Sequence, residues 1–175
     1  MTPDLSLLGT RLDELLRIAN MKALTIWAPW AQLIMIGAKP FEFRRWDYRE
    51  RERALEGQRI VIHAGARPVR ALEVEDIIAG LNDRISSLIP DKARPLLERL
   101  RSAKCQGVCE LSAGLGTVVL GKPRHVSSLS PADSDRIDHH MWAWPMLDIQ
   151  PWPEPVPMRG AQGFWQWPQK DEEAA

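Results

Sequence analysis

The sequence predicts an α+β domain built around a small, barrel-like sheet. Three observations carry that expectation: short β-patterned runs separated by turn residues, two stretches of helical periodicity between them, and a tryptophan-rich end that closes in the alternating run Phe164, Trp165, Gln166, Trp167. With 175 residues the chain fits one domain and is long enough to bury a real core.

Residues 1–20 read as an amphipathic helical extension. Thr2 and Pro3 supply the cap and first turn, Leu5, Leu8, Leu12 and Leu15 keep helical spacing, and Asn20 ends it. Its apolar stripe needs a cover, either the domain or a second copy, and the second would make this helix a self-association surface. The domain itself spans residues 21–168. A first strand starts at Met21, where Leu24 and Ile26 alternate with polar neighbours, and a short helix holding Leu33, Ile34 and Ile36 stops at Gly37. "FEFRRW" is β-like, "DYRERERALEGQ" is a charged helical or loop stretch ending in a turn at Gly57, and "RIVIHAG" is the clearest strand. A helical insert covers about residues 69–104, with Leu72, Ile77, Ile78 and Leu81, then Ile85, Leu88 and Ile89, then Leu96, Leu97 and Leu100. "GVCEL", "GTVVLGKPRHVSSL" and "MWAWPMLDIQ" read as strands and "PWPEPVPMRG" as a proline-rich connector. "AQGFWQW" is a closing strand with its tryptophans inward and Phe164 on the solvent side or an edge. Residues 169–175 form a frayed tail.

Formal net charge is zero, 23 basic against 23 acidic residues, so no whole-molecule field marks the chain for nucleic acid or a membrane. Any electrostatic site is local. Residues 39–70 hold nine basic and five acidic side chains, which places a nucleic-acid face there if one exists, although Arg49, Arg51 and Arg53 alternate with Glu50 and Glu52 as solvated helices do. Cys105 and Cys109 lack a second Cys or Cys/His pair and read as ordinary thiols, not a zinc site. No run approaches the apolar length of a membrane span, and a cytoplasmic protein without cofactor or metal is expected. Of eight tryptophans, five follow residue 140, and an indole anchors a core as readily as it stacks on a base.

"LTIWAPWAQLIMIGAKPFEFRRW", "EGQRIVIHAG", "GTVVLG" and "WAWPMLDIQPWPEPVPMRGAQGFWQW" together resemble the ASCH domain family of the PUA-like superfamily. The resemblance covers most of residues 21–168. Its specific parts are the W-x-P-W opening, the G-x-K-x-x-E-x-R-x-W element and the I-H-A strand end. It implies a PUA-like small β-barrel with flanking helices and a cleft between sheet and helix that suits an RNA segment or a nucleobase, modified or not. The family is functionally mixed. Some members are thought to bind RNA, and a few hydrolyse acetylated cytidine or act as ribonucleases. Pro40 stands where many members carry threonine, Glu56 where arginine is common, and Glu42 where the small amidohydrolases place a threonine.

The family element makes Trp30, Lys39, Glu42, Arg44, Trp46 and His63 the expected ligand-binding residues, with Lys39 and Glu42 the catalytic candidates if the protein is an enzyme. Each has a plainer reading. Lys39 follows a helix end and is able to cap its carbonyls; as an exposed lysine it would contribute little to folding. Glu42 and Arg44, two apart on a strand, share a face, where they form either a salt bridge or an acceptor and donor for a base. Arg45 faces the other way, toward solvent. Trp46 returns to the first face as a stacking plane or as a core indole under an arginine stem. Of Trp27 and Trp30, the first continues the strand and is assigned to the core, leaving Trp30 to the cleft. His63 ends its strand beside Ala64 and Gly65, as a structural imidazole or a cleft residue. Thr25 is the nearest hydroxyl by sequence. The expected partner is RNA, single-stranded nucleic acid or a nucleoside, with a hydrolase as the alternative to a binding module.

Overall fold

The computed structural model describes residues 21–129, 137–139 and 141–168, so the helix expected over 1–20 and the tail at 169–175 lie outside the described residues. Strands β1 (Lys22–Ile26), β2 (Phe41–Arg44), β3 (Arg59–Ala64), β4 (Ala113–Leu120), β5 (Arg124–His125), β6 (Trp142–Pro157) and β7 (Phe164–Gln166) join in one sheet of order β2-β6-β4-β3-β1-β7, with β5 also paired to β6. β1 and β3 run parallel; the other pairs are antiparallel. The sheet curls strongly into a half-barrel. Its helices are α1 (Trp30–Met35), α2 (Arg49–Glu52), α3 (Ala71–Asn82) and α4 (Pro90–Ser102).

The alternation read in the sequence sets the two faces. Leu24 and Ile26 of β1 and Ile60 and Ile62 of β3 turn to one side, where they meet α1 and the buried stripes of α3 and α4. Those stripes place Val74, Ile78, Leu81, Leu97 and Leu100 in the same core as the sheet. The helical insert therefore completes the domain. Leu72 is 79% exposed because it sits about 200° around α3 from Val74, off the i, i+3, i+4, i+7 face. Gly37, with φ +69°, ends α1 as expected: its amide and that of Ala38 bond back to Ile34 and Leu33.

Two expectations fail. "GVCEL" is not a strand, since Lys104, Cys105 and Gly107 take left-handed backbone conformations and β3 and β6 already occupy both edges of β4. The proline-rich "connector" is instead the second half of β6. Pro151, Pro153, Pro155 and Pro157 fall at every second residue, which in an extended chain removes donors from one edge only, and beyond Met146 that edge has no neighbour strand among the described residues.

Trp144 of β6 is the aromatic hub. Fully buried, it stacks on Phe164 of β7 (centroids 5.6 Å, planes 13° apart) and meets Trp46 and Tyr48 edge-on at 5.1 and 5.2 Å. Phe164 thus lies on an edge strand but turns to the core, not to solvent, while Trp165 and Trp167 join Ala23 and Val61 in a second cluster on the opposite sheet face.

Candidate functional site: a cationic cleft beside the parallel strand pair

Where β1 ends, α1 begins, and the β6–β7 connection folds back, a cleft of about 1220 Å³ opens. Lys39, Glu42, Arg44, Trp46, His63 and Trp30 all line it, so the structure gathers every expected site residue around one concavity. Their roles differ from one another in burial and bonding.

Lys39, Glu42 and Arg44 form a partly buried ion chain. Lys39 is 1% exposed; its Nζ donates to the Phe41 carbonyl at 2.5 Å and lies 3.6 Å from Glu42 Oε2, between the rings of Trp30 (5.3 Å) and Phe43 (4.8 Å). The turn after Gly37 sends this side chain inward. It is neither an exposed lysine nor a simple cap of α1. Glu42, buried opposite Trp144 in the β2–β6 pair, also receives Arg44 Nη2 at 2.9 Å. Arg44 reaches the Thr25 carbonyl at 3.5 Å and lies over Trp144 at 5.9 Å. Its Nη1 and its buried Nε have no hydrogen-bond partner among the described residues. Its side chain is 23% exposed on the cleft wall, and a guanidinium so fixed meets a ligand there with little ordering penalty at binding. Arg45 is exposed and also lines the cleft, and Arg159 and Asp138 add to its charge: four cations, Lys39, Arg44, Arg45 and Arg159, against the carboxylates Glu42 and Asp138.

His63 is a structural imidazole in the cleft wall. The register pairs it with Thr25 across β1 and β3, and an irregularity in the β3–β4 ladder falls at Ile62/His63. His63 Nε2 lies 2.8 Å from the Met158 carbonyl, which only accepts, so Nε2 carries the proton. Nδ1 then accepts from the Thr25 hydroxyl (3.2 Å), whose oxygen accepts from Trp165 Nε1 (3.0 Å). All three polar groups are satisfied. Gly160 seals them: a Cβ there would stand 2.7 Å from His63 Nδ1 and 2.8 Å from Thr25 Oγ1. Burial holds the imidazole below its ordinary pKa, with the Met158 bond pulling the other way. The unfolded chain therefore binds the extra proton first, and stability present above about pH 6.5 falls as the pH drops below it. Denaturant midpoints are expected to decline between about pH 6.5 and 5, and His63→Gln to flatten that decline; an unchanged slope in the variant assigns it to other groups.

The two opening tryptophans exchange their expected roles. β1 stops at Ile26, so Trp27 leaves the sheet rather than continuing it and stands 43% exposed at the cleft. Trp30 is 5% exposed, with its Nε1 bonded to Glu73 Oε1 at 3.1 Å. Trp46 lies beyond the end of β2 yet keeps the cleft-facing side, backed by Trp144. Sequence reasoning missed the loop residues Met158 and Gly160, which no local pattern marks. The arginine run of α2 is solvated, with Arg49 held by Asp47 at 2.6 Å.

The fold and site define an α+β protein with a half-barrel sheet and a cationic, aromatic-walled cleft. No protein-family model matches the chain, and no curated protein matches it with significance. Among the described residues no cluster of His, Cys, Asp or Glu is arranged to hold a metal ion, and no helix is long and apolar enough to cross a membrane.

Proposed function

We propose that this chain is an ASCH-type, PUA-like module whose cleft binds single-stranded RNA or a nucleobase. The observation that carries the reading is Arg44: a guanidinium locked by a buried carboxylate on the wall of an open cleft whose lining holds an excess of positive charge. Phosphate and base carbonyl oxygens are acceptors, and a fork of N–H groups suits both. The cleft exceeds the ~300–1,000 Å³ usual for small-molecule pockets, which leaves room for a nucleotide together with its neighbours.

The hydrolase alternative gives the chemistry to Lys39 and Glu42 and needs a hydroxyl or activated water, and the nearest hydroxyl by sequence, that of Thr25, lies instead 3.2 Å from His63 Nδ1. That hydroxyl is already shared with Trp165 and lies under Gly160, an arrangement that serves packing better than attack on a substrate. The test is a binding screen of free nucleosides, acetylated and methylated ones included, beside short RNAs and single-stranded DNAs, with acetate release from acetylated cytidine followed in parallel. Salt-dependent affinity for single strands, or one tight nucleoside, is the expected outcome. Turnover of acetylated cytidine by the wild type would replace the binding reading with the enzymatic one.

A further inference from the structure

Trp27 is the most exposed of the described indoles and, like Trp46, Trp142, Trp152 and Trp167, is not tied down through its Nε1–H. The Nε1–H groups of Trp30, Trp144 and Trp165 each have an acceptor, in Glu73, the Trp46 carbonyl and Thr25. Trp27 has no acceptor among the described residues and is the most exposed large aromatic there. An exposed indole normally swings freely, but this one is braced. The Arg67 guanidinium covers one face at 4.3 Å and is itself fixed by Glu73 at 2.8 and 3.1 Å, the carboxylate that also holds Trp30. The pyrrole edge rests on Gly65, where a Cβ would come within 2.8 Å of Trp27 Cδ1. Trp27 is 43% exposed and lines the cleft whereas the Arg67 that covers it does not, which puts exposed ring surface on the cleft side.

A braced ring that is still 43% exposed leaves apolar surface in water, which its contact with Arg67 does not require. We infer that Trp27 is the stacking platform of the cleft, and that the ligand contributes an unpaired base whose ring lies on the indole while Arg44 takes an oxygen of the same nucleotide or its neighbour. This rests on the nucleic-acid reading above and narrows it: a base inside a duplex has no free face to offer, so the ligand is single-stranded or a free nucleoside. Stacking is tolerant of sequence, and the free Nε1–H adds one donor at the ring edge.

The experiment compares wild type, Trp27→Ala and Trp27→Phe on two probes, a short oligoadenylate and an abasic ribose-phosphate strand of the same length. Trp27→Ala is expected to weaken oligoadenylate binding at least about five-fold, Trp27→Phe much less, with abasic-strand affinity the same in all three proteins. Thermal melts, expected to coincide, confirm that the variants fold. If the wild type prefers oligoadenylate and Trp27→Ala leaves that preference intact, the platform is refuted while the cleft reading stands. Equal losses on both probes also refute it, because the ring would then be acting on the backbone. Binding of neither probe by the wild type overturns both.

Discussion

Replacing Glu42 by leucine is expected to cost about 3–5 kcal/mol of folding stability. The carboxylate is the shared acceptor of two cations, Lys39 at 3.6 Å and Arg44 at 2.9 Å, and Lys39 is 1% exposed. Removing it takes a shared carboxylate away from a buried ammonium beside the rings of Trp30 and Phe43 and from the Arg44 guanidinium at once, and the cost lies in buried charge that loses this compensation. A second substitution separates the two. In a Lys39→Met/Glu42→Leu protein the buried ammonium is gone as well and only Arg44, whose side chain is 23% exposed, has lost the carboxylate, so the double variant is expected to be more stable than Glu42→Leu alone. Urea denaturation of the three proteins measures this directly. A loss below about 1 kcal/mol in Glu42→Leu would mean that water reaches the pair and that it is no more than a surface bridge. Lys39→Ala is destabilising as well, because it empties a buried site between Trp30 and Phe43 and takes one of two cations from Glu42, in contrast to the exposed lysine that the spacing alone suggested.

Trp144→Ala is expected to destabilise the fold by a similar amount, about 3–5 kcal/mol. The indole is fully buried and is the common neighbour of Trp46, Tyr48, Phe164 and Arg44. Its loss leaves a cavity bounded by the sheet on one side and by Phe164 on the other, and the stacked contact that ties the edge strand β7 to the core disappears with it. Hydrogen exchange at β7 is expected to rise more than at β3, which keeps both of its neighbours. Uniform loosening of the sheet would show that Trp144 serves general packing only. Trp144→Phe keeps a ring there and is expected to lose less.

The parts of this fold that were legible in the sequence are those governed by local periodicity. β1, β3 and the Gly37 stop of α1 follow from apolar alternation and from one residue able to take φ +69°. The Glu42–Arg44 bridge was legible too, because these residues stand two apart on a short strand, whereas the burial of Lys39, two residues before that strand, was not. What failed depended on where an element stops or on what approaches from afar. Trp27 and Trp30 exchanged roles because β1 ends one residue earlier than its alternation implied. The prolines of β6 argued against a strand only on the assumption that both edges needed donors. The lid over His63 comes from Met158, 95 residues away, and no spacing within β3 announces it.

The central claim is that the cleft beside β1 and β3, not the charged surface of α2, is where nucleic acid binds. Titration of an isotopically labelled protein with a short single-stranded RNA, followed by amide and arginine side-chain NMR shifts, tests it most directly. Gly65, Ala66 and Gly160 and the Arg44 Nε–H are expected to move together as one saturable set, while Arg49 and Arg53 move little. Shifts confined to residues 49–53, with the cleft resonances unmoved at saturation, would contradict it.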